Sequence, residues 1–299
     1  MKLSVVHDTN YHYMQPVHTA QHVAFLQPRN TATQQCVQHR LVIDPLPHDV
    51  STQIDAYGNH RTHWSLAHMH DHLHVQSVSE VHTHELEMHI CHDTWESVRE
   101  HFRYRSGHAG DLNSAFVFAS HHAPIHPSFA SFARGCFEQG SEMVASCVLL
   151  MQTLHEHMRY ESHSTDIHTP ALQALEQGHG VCQDFAHIQI ACLRSLGLSA
   201  RYVSGYLLTH PPEGQEKLIG SDATHAWVSV YVPSAHEHAS GGWLDLDPTN
   251  NRWGWGSPGP DYVHVATGRD FADVSPLRGV IQGGNQHTLD VAVTVQPLI

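Results

Sequence analysis

Residues 1 to about 90 alternate between apolar and polar positions. LSVVHDTNYHY, CVQHRLVID, HRTHWSLAH and HLHVQSVSEVHTH carry the period-two or β-branched character of strands. Turn signals such as DPLP and DAYGNH separate them, and Gly58-Asn59 reads as a hairpin turn. This pattern predicts an antiparallel, partly solvated sheet or sandwich.

The period then becomes helical. In SEMVASCVLLMQTLHEHMRY, residues 141–160, an apolar stripe runs through Met143, Val144, Cys147, Leu150, Met151, Leu154 and Met158, with Ser141 as the expected N-cap. Cys147 lies on that stripe and reads as core. TPALQALEQ follows, with Thr169 as N-cap and Pro170 at the first helical position. GHG interrupts it. Cys182 opens a second helix to about Leu196, closed by Gly197 at C′, and Cys192 reads as buried inside it. Strand patterns return in ARYVSGYLL, THAWVSVYVP, GWLDLDP, DYVHVATG and TLDVAVTVQPL. The expected class is α+β. Residues 1–100 form a β-rich, sandwich-like domain. Residues 101–299 form a helical segment and a helix-then-sheet core of catalytic type, C-terminal strands included.

Composition narrows the function. The chain has 299 residues, 15 Lys plus Arg against 29 Asp plus Glu, and a formal net charge of −14. That balance argues against a nucleic-acid partner. Histidine is abundant, at 33 residues, so much of the charge varies near neutral pH. No run is long and apolar enough to span a bilayer, and MKLSVVHDTNYHYMQ lacks a signal-peptide core, so no membrane association and a cytoplasmic protein are expected. The six cysteines form no CxxC and should be free thiols.

One of them sits where a thiol can react. GHGVCQDFAH places Cys182 at a helix start, where backbone N–H groups and the helix dipole favour a thiolate and can hold an oxyanion. The position suits packing equally well. Two later strands supply partners. Alternation puts His225, Trp227, Ser229 and Tyr231 on one face of DATHAWVSVYVP, and Trp243, Asp245 and Asp247 on one face of GGWLDLDPTNN. A hairpin centred near His236 would set His225 across from Asp247. Cys182, His225 and Asp247 then read as nucleophile, base and orienting acid. Asp245 competes for the last role, but the register and the strand-breaking Pro248 favour Asp247.

GVCQDFAH, ARYVSGYL, HAWVSVYV and WLDLDPTN together resemble the transglutaminase-like superfamily. YHYMQPV, LQPR, DAYGN and VHVATGRDFADVSPLRGVIQGG further resemble bacterial members with an N-terminal β domain. The resemblance implies a papain-like fold with a transglutaminase-associated N-terminal domain. It also implies catalytic Cys, His and Asp in that chain order, at Cys182, His225 and Asp247. The implied activity is that of a cysteine peptidase or amidase, or an acyltransferase, working on peptide or isopeptide bonds through a thioester. Hydrolysis is favoured over transfer. The substrate is then a peptide or protein.

Other residues could line such a site: Gln183, Asp184 and His187 after the cysteine, Trp227, Trp253 and its neighbour Trp255, and Arg269 with Asp270 in GRDFADVSP. Each also has a structural reading as cap, core or ion pair. His68, His70, His72 and His74, or His82 and His84, have strand spacing open to zinc. Without a completing Cys or acid they read as compositional, so no metal and no cofactor are expected, and no calcium site is evident. The alternative function is a non-catalytic, partner-binding protein on the same fold.

Overall fold

A single strand of 23 residues, β1 (Lys2–Ala24), organises the N-terminal region. In the computed structural model, residues 1–86, 91–103, 111–162, 165, 169–209, 224–233 and 242–298 are described. β2 (Gln34–Asp44), β3 (Asp49–Ile54), β4 (His60–Leu66) and β5 (His70–Thr83) join β1 in the order β2-β5-β1-β4-β3, all antiparallel. Along one edge β1 changes partner, pairing with β5 from Lys2 to His12 and again at Val17, and with β4 from Ala20. The ladder is irregular between His12 and Val17, where Pro16 has no N–H to donate. β3 was not anticipated from the sequence. Its residues, DVSTQI, are all exposed and so lack the alternation that marks a half-buried strand.

Helices occupy the middle of the chain: α1 (Trp95–His101), α2 (Pro127–Arg134) and α3 (Met143–His157). α3 begins two residues after Ser141. Glu142 is the cap residue, and the Ser141 hydroxyl bonds the Ser146 hydroxyl instead of capping. The short β6 (Arg159–Tyr160), α4 (Ala171–Gln177) and β7 (His179–Gly180) lead into α5 (Cys182–Ser195). The cap of α4 is Pro170, one residue later than expected. α5 is buried from Asp184 to Arg194. It ends as the sequence suggests: Gly197, at φ +83°, donates to the Arg194 carbonyl, and Leu198 donates to the Leu193 carbonyl.

α5 packs on a second antiparallel sheet of β8 (Ala200–Leu207), β9 (Thr224–Val232), β10 (Gly242–Asp247), β11 (Arg252–Trp255) and β12 (Tyr262–Gly268), ordered β11-β10-β9-β8-β12. Val228, Val230, Leu244 and Leu246 join Ile188, Cys192 and Leu193 of the helix, and Cys147 of α3, in one core. Both Cys147 and Cys192 are fully buried there, and burial pushes their thiols up. All six cysteines are free.

After the short α6 (Phe271–Val274), β13 (Leu277–Gly283) and β14 (His287–Pro297) return to the first sheet and pair with β1 along its other edge. This corrects the expectation that the C-terminal strands belong with the core of residues 101–299. Of the strands after β11, only β12 joins the core sheet. Alternation identifies β14 as a strand, but the free edge of β1, and the seats for Val293 and Val295 in the main core, decide which sheet takes it.

β12 is an edge strand, and side-chain amides cover it. Gln34 accepts from the His264 N–H and donates to the His264 carbonyl, at 2.7 and 2.8 Å. Asn59 does the same for Thr267, at 2.8 Å each way. Each amide imitates one step of a neighbouring strand, so the N-terminal sheet satisfies the core's edge. Among the described residues no helix is long and apolar enough to cross a membrane.

Candidate active site

Cys182 is the first residue of α5 and is partly exposed. The turn before it is held from below. The Asp184 carboxylate accepts from the Val181 N–H at 2.8 Å and from the Thr165 hydroxyl at 2.6 Å. A Cβ on Gly180 would lie 2.7 Å from that same oxygen, so glycine is what lets the carboxylate fold back under the loop. Asp184 is therefore a buried helix cap, not a group presented to a ligand.

His225 and Asp247 lie at the same end of β9 and β10. The His225 Nε2–Asp247 Oδ2 distance is 2.7 Å. The route to that contact differs from the simple hairpin. Leu246 pairs with Val228, so one step further Asp247 faces Trp227, and His225 reaches it diagonally. Residues 234–241, on which the hairpin centred at His236 depended, lie outside the described residues. With Nε2 on Asp247, Nδ1 is the nitrogen left for the Cys182 thiol, which opens onto the same cavity as His225.

Asp247 is fully buried and saturated. Its Oδ2 also accepts from Asn250 Nδ2 and the Tyr262 hydroxyl, each at 2.7 Å, and its Oδ1 accepts from the Thr249 and Asn250 N–H groups. Burial alone would raise this carboxyl. The His225 charge and the hydrogen bonds from His225, Asn250 and Tyr262 hold it below the usual carboxylate range. Burial likewise opposes a charged His225, but Asp247 and Cys182 raise it above the ordinary imidazole value. The arrangement is an imidazole with a fixed tautomer, backed by a charged acid and set beside a thiol.

Asp245 lies elsewhere. It is buried and accepts from Trp227 Nε1 at 3.0 Å and from the Ser229 hydroxyl. Burial pushes it up to about 6, against those hydrogen bonds and the charge of Arg201.

The fold and this geometry have counterparts among known proteins. Residues 3–82 match the bacterial transglutaminase-like N-terminal region, and residues 130–248 match the transglutaminase-like superfamily core. An uncharacterized protein of Mycobacterium bovis is 38% identical over 299 residues, covering 98% of this chain and 92% of its own. The chain belongs to the transglutaminase-like superfamily. A second relative, an uncharacterized protein of Mycobacterium leprae, is 31% identical over 301 residues and covers 99% of each chain. The crystal structure of a candidate cysteine protease from Cytophaga hutchinsonii superposes with a TM-score of 0.73 at 21% identity, covering 99% of this chain and 90% of that one. The α+β, papain-like core with an N-terminal antiparallel sheet is thus the fold.

In this transglutaminase-like chain, Cys182 and His225 open onto a cavity of about 380 Å³, and Gln183 lines it beside them. The other residues singled out in the sequence do not face it. Trp227 is buried below His225, its ring stacked at 6.2 Å. His187 is buried and accepts from the Phe271 N–H at 3.2 Å, so it holds a residue that does line the cavity. Asp270 caps α6 and accepts from the His122 N–H. Arg269 makes a two-pronged ion pair with Asp273. Trp253 and Trp255 line a separate cavity with Thr33 and Leu86. On β5 the imidazoles of His72, His74 and His82 bond the nearby carboxylates of Asp71, Asp8 and Glu80.

Several cavity residues were not anticipated: His7, Thr9 and Tyr11 of β1, Tyr160 of β6, and Leu289 and Val291 of β14. Strand alternation gives their face but not what the face meets. Tyr262 likewise carries no local signal. Asn250 does, because it follows Asp247 by three residues in a turn.

Proposed function

We propose that this chain is a cysteine-nucleophile enzyme that hydrolyses peptide or isopeptide amide bonds through a thioester. The observation that supports it is the short His225–Asp247 contact beside a thiol that starts a helix and faces a cavity. Cys182 Sγ attacks the carbonyl carbon and its proton passes to His225 Nδ1. Backbone N–H groups at the start of α5, that of Cys182 first, hold the oxyanion. His225 returns the proton to the departing amine, leaving a thioester. Water then attacks, His225 takes its proton, and the carboxylic acid departs with the thiol restored. Asp247 keeps the imidazole in the required tautomer throughout. The description of the Cytophaga hutchinsonii fold neighbour agrees with water as the acceptor.

The test is acylation of the full chain by a panel of acylated peptide amides, followed by intact mass and peptide mapping. The expected result is acyl mass on Cys182, none in Cys182→Ala, and release as acid even with a primary amine present. Product formed mainly on the amine would reassign the acceptor. No acyl mass at Cys182, with iodoacetamide alkylation no faster than for an unactivated thiol, would overturn the enzyme reading.

A further inference from the structure

The Cys182 cavity is a gap between two sheets. One side is the core: Cys182, His225 and Tyr202. The opposite side is the first sheet, where Thr9 pairs with Val291 and Tyr11 with Leu289 across β1 and β14. Directly paired residues of antiparallel strands share a face, so these four side chains form one continuous patch aimed at the thiol.

That patch and its surroundings are neutral. Among the described residues, no Asp, Glu, Lys or Arg lines the cavity. His7, deeper on the same face, has both ring nitrogens engaged, with the Tyr206 hydroxyl at 2.8 Å and the Thr9 hydroxyl at 3.1 Å. Burial holds it down to about 4, so it adds no charge at neutral pH. When His225 holds the thiol's proton, its charge is answered by Asp247 at 2.7 Å. A carboxylate or ammonium placed against Tyr11, Leu289 and Val291 would lose water and gain no partner, which is unfavourable. An apolar side chain there would cover surface now left open, since Leu289 and Val291 are about half exposed, at 49% and 51%. At about 380 Å³ the space falls in the range of small-ligand sites.

We propose that the N-terminal sheet is the specificity wall for the acyl donor. It accepts an apolar, uncharged side chain on the residue that carries the attacked carbonyl, and it rejects acidic and basic ones there. This rests on the proposed cysteine chemistry and names its substrate class. It also gives β14 a role, because returning the end of the chain to β1 is what places Leu289 and Val291 opposite Cys182.

The test uses N-capped amino-acid chloromethyl ketones of Leu, Asp and Lys on the full chain. In each, Sγ forms a bond to the methylene carbon, the carbon–chlorine bond breaks, chloride leaves, and the thiol proton goes to His225. Labelling of Cys182 is timed by intact mass and peptide mapping. Each rate is divided by the iodoacetamide rate of the same protein. The Leu reagent is expected to label about tenfold faster than the Asp and Lys reagents. Val291→Lys should slow the Leu reagent and speed the Asp reagent several-fold, a gain that misfolding cannot produce. Equal rates for the three reagents, or an unchanged Leu-to-Asp ratio in Val291→Lys, would overturn the wall. A Cys182 that iodoacetamide labels no faster than an unactivated thiol would instead remove the cysteine chemistry itself, and the wall with it.

Discussion

Asp247 accepts the His225 Nε2 hydrogen bond at 2.7 Å, while Asp245, two residues earlier on the same strand face, bonds Trp227 and Ser229. Neighbouring acids on β10 thus serve different ends. One positions an imidazole at the thiol, and the other ties β10 to β9.

Removing the first should affect chemistry. Asp247→Asn keeps the shape but can no longer favour the charged, correctly oriented imidazole. Turnover is expected to fall about 10⁴-fold. The alkylation profile of Cys182 should move to higher pH, a shift that a purely structural role would not produce. An unchanged profile would remove Asp247 from the machinery.

Removing the second should affect stability. Asp245→Ala leaves the buried Trp227 N–H and Ser229 hydroxyl without their acceptor, at a cost of about 1–3 kcal/mol. Chemical denaturation should register that loss, while iodoacetamide labelling of the folded protein keeps its wild-type rate. Slowed labelling at unchanged stability would reverse the two assignments.

The amide sides of Gln34 and Asn59 give a third test. Asn59→Ala strips both partners from the Thr267 backbone. A loss of about 1–3 kcal/mol is expected, with faster hydrogen exchange along β12. Exchange that changes only in the 55–60 turn would show that the bridge to the core carries no weight.

Acid should destabilise this fold early. Burial holds His7 and His22 to about 4, His187 to about 3 and His264 well below the ordinary value. In the unfolded chain these imidazoles take up protons near about 6.5. Between those values the unfolded state binds more protons, so stability falls as pH falls from about 6.5 toward about 4. His225 runs the other way. Its raised value adds stability that is complete below about 6.5 and is lost as pH rises through the folded value. The urea midpoint should therefore be lower at pH 5 than at pH 7. An equal or higher midpoint at pH 5 would show that these histidines are not held neutral.

Much of the fold and the site is written locally. Period-two and period-3.6 patterns mark β1, β5, α3, α5 and, in the core sheet, β8, β9, β10 and β12, because each buries one face or stripe against a neighbour. Glycines fix where helices stop, as Gly197 does through its positive φ. Cys182 at a helix start, and His225 and Asp247 at the ends of adjacent strands, follow from the same local rules. The tertiary structure decided the rest. Pairing across a sheet joins residues far apart in sequence, and no periodicity encodes which edge a strand will choose. Hence β14 lies on β1, the Tyr262 hydroxyl reaches Asp247, and His225 meets its acid diagonally instead of face to face. The wall opposite Cys182 has the same origin: Tyr11 and Leu289 stand at opposite ends of the chain, and they meet because β1 had a free edge to fill.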